Sequence, residues 1–548
     1  RQTAGGILFR FHAPAAGQVV LAGAFNGWDK NAARMQRAAD GSWSLTVRLA
    51  PGLHQYKFVV NGTDWHADPD NPAKLANDPF GNSVVVVAAD GTVNLAAARI
   101  DSKHPGEWYT GHAAVKSADW IRSAVLYEVF PRVFTQQRGF RGLTGKLPHL
   151  KKLGVNTIWL MPIHPVGQKN KKGSLGCPYS VRDYTEVNPE FGTKEDFRQF
   201  MRSARAMGFR VILDWVANHS GWDNPWFTRN PDWYTRDAQG KIIHPRDTDW
   251  TDVADLNYDS AGMRRAMIAA LEYWVREFGV DGYRYDVAGC VPIDFWVDAR
   301  RALQRLKPDV LLISESEDQI HNARAFDLTY EGGLRGTLHG MATGAKTQYD
   351  FYTAYQGMVY SFPKNALRMH WLENHDQEHA LRYFGKQAIY PAATVLLALD
   401  GVPLLLMGQE FGDTKWQNWR SLFDPLQLDW DKFDTGLFSH YARLVQLRKT
   451  RQALARGTLT FIQNNHRKAI SFIRQHGDET CLVVVNMSGK TLKDLQFSPA
   501  DLKRTGLENR VPAVLFQSRQ GGTGRGRPLH GFRMDLNPWA SVVFSANR

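Results

Sequence analysis

Between about residue 121 and residue 450, apolar strand-like runs alternate with helical periods, and few folds accept that alternation. A strand followed by a helix that returns to a parallel neighbour puts helices outside a parallel sheet. In "TKEDFRQFMRSARAMGFRVILDW", Thr193 is a natural N-cap and Phe197, Phe200, Met201 and Ala204 share one helical face. The period stops at Gly208 and the strand "RVILD" follows. Further strand candidates are "AVLYEVF", "NTIWLM", "GVDGYRYD", "VLLIS" and "VPLLLM". So many βα units over about 330 residues predict a closed (β/α)8 TIM barrel rather than an open sheet.

The flanks read differently. Residues 1–98 carry short strand patterns with turn signals, among them "ILFRFHAP", "SWSLTVRL" and "HQYKFVVNG", which predict an N-terminal β-sandwich. A polar linker spans 99–120. The barrel is expected over 121–452 with a short B-domain insertion at about 219–258, and a C-terminal β-sandwich over 453–548, where "AISFIRQHGDETCLVVVNMSG" restores the β pattern. A chain of 548 residues exceeds what one core organises, in keeping with several domains.

Composition removes other classes. The net charge of +13 is spread along the chain rather than gathered in a stripe, and no nucleic-acid motif accompanies it, so it reads as solubility. The stretch "GGTGRGRP" at 521–528 has the wrong glycine spacing for a phosphate loop and reads as a surface loop. Cys177, Cys290 and Cys481 are far apart, lack metal-ligand spacing and read as packed thiols. No apolar run reaches the roughly 18 residues of a membrane span. The chain starts at Arg1 without Met, and we expect a secreted or periplasmic protein whose signal peptide is absent from this sequence. The 18 Trp and 18 Tyr suggest stacking on flat rings.

The chemistry concentrates where apolar runs stop. In "GVDGYRYDVAG", strand alternation turns Gly282, Arg284 and Asp286 to the lumen and Tyr283, Tyr285 and Val287 to the helices. A guanidinium beside a carboxylate keeps it ionised and oriented, as a nucleophile requires. Alone, such a pair is structural more often than catalytic. Three other strand ends supply companions: Asp214, Asn218 and His219 in "VILDWVANH", Glu315 in "VLLISESE", and His375 and Asp376 in "WLENHD".

These stretches, in this order and spacing, resemble the α-amylase family, glycoside hydrolase family 13, over roughly 120–450. "GVNTIWLMPI", "PYSVRDYTEVNPEFGT", "VADLN" and "GVPLLLMGQEFG" extend the likeness. It implies a retaining hydrolase of α-1,4-glucosidic bonds in starch, glycogen or malto-oligosaccharides. Asp286 would be the nucleophile, Glu315 the general acid/base and Asp376 the carboxylate that stabilises the transition state. Glu315 must hold a proton part of the time, which crowded carboxylates favour by raising its pKa. Glu317 is the rival acid, but Glu315 lies nearer the end of the apolar run.

By the same resemblance, Arg284 and Asp214 brace the nucleophile, His219 and His375 donate to sugar hydroxyls, and Tyr179 stacks on the reacting ring. A core imidazole is the plain alternative for each His. Asn218 is implied as a calcium ligand, the one oxygen donor the sequence offers where a hard cation needs six or more; its "NHS" also matches a glycosylation sequon, but an Asn that lines the site could not carry a glycan. Where α-amylases usually carry Lys-His after the nucleophile, Gly289 and Cys290 stand here. "DVAGC" is closer to the "DVAN" of neopullulanases and cyclomaltodextrinases, whose Asn-Glu pair is absent too. A neopullulanase, cyclomaltodextrinase or related transglycosylase is therefore the alternative. No organic cofactor is expected.

"VVLAGAFNGW", "DGSWSLTVRLAPGLHQYKFVVNG", "DWHADP" and "FGNSVV" resemble a family 48 carbohydrate-binding module over 7–87. By that likeness Trp28 and Trp65 stack on glucose faces while Lys57 and Asn82 offer hydrogen bonds. Core packing is the equal alternative for each Trp. The partners implied are α-glucans, with no nucleic acid and no membrane span.

Overall fold

The computed structural model describes residues 2–3, 5–50, 52–71, 82–87, 93–94, 113–415, 422–424, 426–518, 522–523, 528–529 and 531–546. They form two compact units, Arg1–Ala114 with Tyr349–Ala366, and Val115–Gln348 with Leu367–Arg548.

The second unit holds a closed eight-stranded parallel barrel, as the alternation predicts. Its strands are β1 (Leu126–Val129), β2 (Thr157–Leu160), β3 (Arg210–Val216), β4 (Gly282–Asp286), β5 (Leu311–Ser314), β6 (Leu328–Glu331), β7 (Leu367–Trp371) and β8 (Val402–Leu406). β8 pairs with β1 and closes the ring. Helices cover the outer face of the strands and the packed lumen their inner face, which is why most read as near-continuous apolar runs. β6, "LTYE", carries Thr and Glu instead and has no apolar run to betray it.

Local chemistry sets the pieces. The helix Lys194–Ala206 starts at Thr193, whose side chain accepts from the Asp196 N–H while Asp196 accepts in return, and buries Phe197, Phe200, Met201 and Ala204. On β4 the alternation is as expected: the Tyr283 hydroxyl donates to the Leu271 carbonyl of the helix Ala261–Phe278, and the Tyr285 ring packs 4.5 Å from Trp296. Gly282 is required by space, since a Cβ there would sit 2.1 Å from the Leu311 carbonyl oxygen of β5. Between β3 and β4 a small insertion pairs His219–Gly221 antiparallel with Val253–Asp255.

After the barrel, a five-stranded and a three-stranded sheet enclose a core that includes Ile473, Leu482, Val484, Leu495, Phe532 and Val542. The expectation of a loop at 521–528 needs correction at Gly522–Thr523, which pairs with Met534–Leu536; positions 521 and 524–527 lie outside the described residues. So does 99–112 of the expected linker. Cys481 is buried, but Cys290 is exposed, so it is not the packed thiol we expected. Among the described residues no helix is long and apolar enough to cross a membrane.

The first unit contains two antiparallel sheets. The strands Gly6–His12 and Ser42–Val47 belong to one sheet; Val19–Gly23, Gly52–Val60, Asp64–His66 and Ser83–Val87 belong to the other. Phe9, Leu21, Trp43, Tyr56, Phe58 and Val85 belong to one buried core. Strand alternation then turns Gln55, Lys57 and Val59 to the opposite face of the second sheet.

Candidate active site

Arg284 is the hub of the lumen. Its side chain is wholly buried; Nη1 lies 2.8 Å from Asp214 Oδ1 and 3.1 Å from Asp286 Oδ1, and Nη2 lies 2.6 Å from Glu315 Oε1. The Glu315 contact is an ion pair without hydrogen-bond alignment. Nε donates to the Tyr330 hydroxyl at 3.0 Å, and the guanidinium sits 5.3 Å from the Trp159 ring centroid and 5.8 Å from those of Tyr179 and Tyr330. The pairing of Asp214 with Arg284 across β3 and β4 follows from strand register, which puts the two residues directly opposite. Against the burial that would lower it, the charges of Asp214 and Glu315 hold Arg284 well above its ordinary pKa.

Immediately past Asp286 the strand ends in strain. Val287 is β-branched and adopts φ 38°, a left-handed conformation that such residues avoid. That turn aims its N–H at Glu315 Oε2, 2.7 Å away. Glu315 is thus held between a backbone donor and a guanidinium. Glu317, the rival, instead accepts the Gly332 N–H at 3.0 Å.

The electrostatics differ from our expectation in one respect. We expected Arg284 to keep Asp286 ionised. In the structure Asp286 is pushed well above the usual carboxylate value, by burial first and then by the Glu315 charge, with Arg284 opposing. Burial and the Glu315 charge outweigh a guanidinium that three carboxylates share.

At the end of β7, His375 lies against Tyr179, Asp376 and a carboxylate the sequence left unassigned, Glu128. Its Nδ1 meets the Glu128 carboxylate of β1, its Nε2 lies 2.8 Å from the Tyr179 hydroxyl, and its ring stacks on Tyr179 at 5.6 Å. Asp376 is 3.3 Å from Nε2 and has 47% of its side chain exposed, so it faces the open mouth. Burial would lower the His375 pKa, but Asp376 and Glu128 outweigh it and push it up to about 10. The Tyr179 hydroxyl also donates to Asp214 Oδ2 at 3.1 Å, which the Trp159 indole bonds at 3.2 Å. Glu128, Trp159 and Tyr330 were missed. The signal for Glu128 was present: a carboxylate inside the apolar run "VLYEVF" has to find a buried partner.

The raised His375 has a consequence for stability. Its folded value of about 10 exceeds the ordinary 6.5, so its contribution is complete below pH 6.5 and is lost as pH rises through about 10. His375→Gln should therefore flatten the alkaline part of the melting-temperature profile between pH 7 and 10. A variant whose melting temperature falls as steeply as the wild type over that range would refute the charged imidazole.

His219 is less free for sugar than expected. Its Nδ1 is 3.2 Å from the Asn218 amide, the ring bonds the Tyr179 backbone, and burial lowers its pKa to about 4, so it is neutral. Asn218 spends its amide nitrogen on that ring and its backbone carbonyl on the Leu256 N–H. Among the described residues no three His, Cys, Asp or Glu side chains gather as ligands. Asn218, with its amide nitrogen and backbone carbonyl already used, thus has no such cluster beside it to supply the six or more oxygens a calcium ion needs.

On the first unit, Trp65 is 39% exposed and Trp28 is half-buried against Val20, Ala22 and Val59. Lys57 lies on the same sheet face, half-buried. Asn82 does not fit the hydrogen-bonding role implied for it: it is fully buried, with its amide donating to Gln55 Oε1 at 2.8 Å.

This lumen of carboxylates around one arginine coincides with a family match. Residues 128–434 match the model described as alpha amylase, catalytic domain. The chain belongs to the α-amylase family. Residues 7–93 match the glycogen recognition site of AMP-activated protein kinase. Alpha-amylase MalA of Haloarcula japonica is 29% identical over 392 residues, 68% of this chain; the match spans only 56% of that protein's length. A cyclomaltodextrinase of a Bacillus species is 26% identical over 435 residues, covering 69% of this chain and 75% of its own. Among solved structures, the noncanonic maltogenic alpha-amylase AmyB from Thermotoga neapolitana aligns with a TM-score of 0.70 at 29% identity, over 78% of this chain and 99% of that one.

Proposed function

We propose that this family member hydrolyses α-1,4-glucosidic bonds of starch, glycogen or malto-oligosaccharides with retention of configuration. Asp286 attacks the anomeric carbon, Glu315 protonates the leaving oxygen and then activates water, and Asp376 supports the positive charge that develops on the sugar. Arg284, held by Asp214, orients Asp286; His375 and Tyr179 border the reacting ring; Tyr330 and Trp159 brace the cation. The carrying observation is that Asp286 and Glu315 contact adjacent nitrogens of one guanidinium. A pair bridged in this way suits the separation of roughly 5–5.5 Å used in retaining chemistry, in which no water need fit between nucleophile and sugar.

The second reading, a neopullulanase or cyclomaltodextrinase, draws support from Gly289 and exposed Cys290 just past the nucleophile, where α-amylases usually carry Lys-His. The test reads products from soluble starch, pullulan and β-cyclodextrin side by side, with the anomeric configuration followed by NMR in the first minutes. We expect the α-anomer first and starch as the best substrate. Initial β-anomer would overturn the retaining mechanism, and preference for β-cyclodextrin or pullulan would favour the second reading.

A further inference from the structure

The first unit contains an aromatic ring from an unexpected place. Tyr349 lies more than 250 residues beyond the two-sheet module, yet Tyr349–Ala366 groups with the module's residues. Its ring centroid is 5.5 Å from that of Trp28 with the planes at 76°, and Trp28 is 6.2 Å from Trp65 at 46°. The three rings are contiguous and none is fully buried. They lie over one face of the sheet, because Val59, directly opposite Trp65 in the strand register, is also a residue on which Trp28 packs.

Several features of this face are costly for rings that merely fill space. Trp28 adopts φ 61°, a left-handed conformation that bulky residues seldom adopt and that concentrates at functional positions. Its indole N–H and the Gln55 Nε2 are buried donors without acceptors among the described residues. Unspent donors beside flat rings are what a polyhydroxylated, ring-shaped ligand takes up. The rings are steeply inclined to one another rather than coplanar, so they offer a bent surface. A curved α-linked glucan follows such a surface; a flat β-linked chain does not.

We propose that Tyr349 is the third ring of a glucan-binding platform formed with Trp28 and Trp65, and that Asn82 positions it instead of touching sugar. The Tyr349 hydroxyl lies 3.5 Å from Asn82 Oδ1, while the Asn82 amide is tied to Gln55. Asn82 thus transmits the sheet's geometry to a ring that the sheet's own sequence does not encode. The proposal rests on the α-glucan reading above, names its auxiliary site, and stands apart from the barrel chemistry.

The experiment uses the full chain carrying Asp286→Asn, so that glycogen is bound and not degraded, and compares mobility in glycogen-containing native gels. Cleft binding is common to all variants, so differences report the platform. Tyr349→Leu keeps apolar bulk but removes the flat ring, and should weaken glycogen binding about fivefold, as Trp65→Ala should. Their double variant should be barely weaker than either, and melting temperatures should stay within a few degrees. Tyr349→Phe, which keeps the ring and frees the hydroxyl from Asn82, should fall between. A lowered melting temperature with unchanged glycogen mobility for Tyr349→Leu would mean plain packing and defeat the proposal, as would tighter binding, which would make Tyr349 a shield. If wild-type enzyme fails to cleave starch, the α-glucan reading itself falls; if it cleaves starch and the gels show no change, only the platform falls.

Discussion

Asp286→Asn is expected to lower turnover of soluble starch by at least about a thousandfold, the scale at which removal of a covalent nucleophile usually registers. An amide oxygen is a far weaker nucleophile than a carboxylate, and Arg284 has no other group to align against the anomeric carbon. The fold should survive. Arg284 keeps its 2.8 Å partner Asp214 and the Glu315 ion pair, so the buried cation is not stranded. The substitution also removes a buried carboxylate that burial and the Glu315 charge already disfavour in its ionised form. The measurement is turnover beside a thermal melt: more than a tenth of wild-type turnover in a normally folded variant would remove Asp286 from the nucleophile's role.

Glu315→Gln should slow hydrolysis of natural glucans by two to three orders of magnitude, in line with the roughly 10²–10⁴-fold contribution of general acid–base catalysis. An α-glucosyl fluoride should suffer far less in its first step, since fluoride leaves with little protonation. Equal losses on both substrates would shift the acid role to Glu317, even though that side chain is occupied by the Gly332 N–H. The variant also tests the electrostatics. Asp286 must be ionised to attack, and its raised pKa means that activity is lost on the acid side at a higher pH than an ordinary carboxylate would impose. Deleting the Glu315 charge removes one cause of that rise, so the acid limb of kcat/KM for the fluoride should move to lower pH. An unmoved limb would show that burial alone lifts Asp286.

Much of this molecule is legible in one dimension because its determinants are local. The helix Lys194–Ala206 announces itself through Thr193 and a 3.6-residue apolar period, and β4 through an alternation that sorts Arg284 and Asp286 from Tyr283 and Tyr285. Chemistry at strand ends is readable for the same reason: a charge that terminates an apolar run has few purposes other than a site. β6 was invisible because Thr329 and Glu331, its polar residues, are satisfied by Asn322 and His370 at a distance no periodicity records.

The remaining features depend on which strands become neighbours around the ring. Closure of the barrel leaves Glu128 beside His375, 247 positions away, where its charge joins that of the adjacent Asp376 in favouring the imidazolium. Burial of Asp286, together with the Glu315 charge across the shared guanidinium, raises its pKa, a matter of geometry that spacing cannot express. Asn82 shows the same limit: its motif suggests a sugar ligand, whereas the folded chain buries it and ties its amide to Gln55. Residue types and their local pattern establish which functional groups are available; long-range contact decides their charge, their partners and whether solvent or substrate can reach them, because dielectric and distance are properties of the folded chain alone.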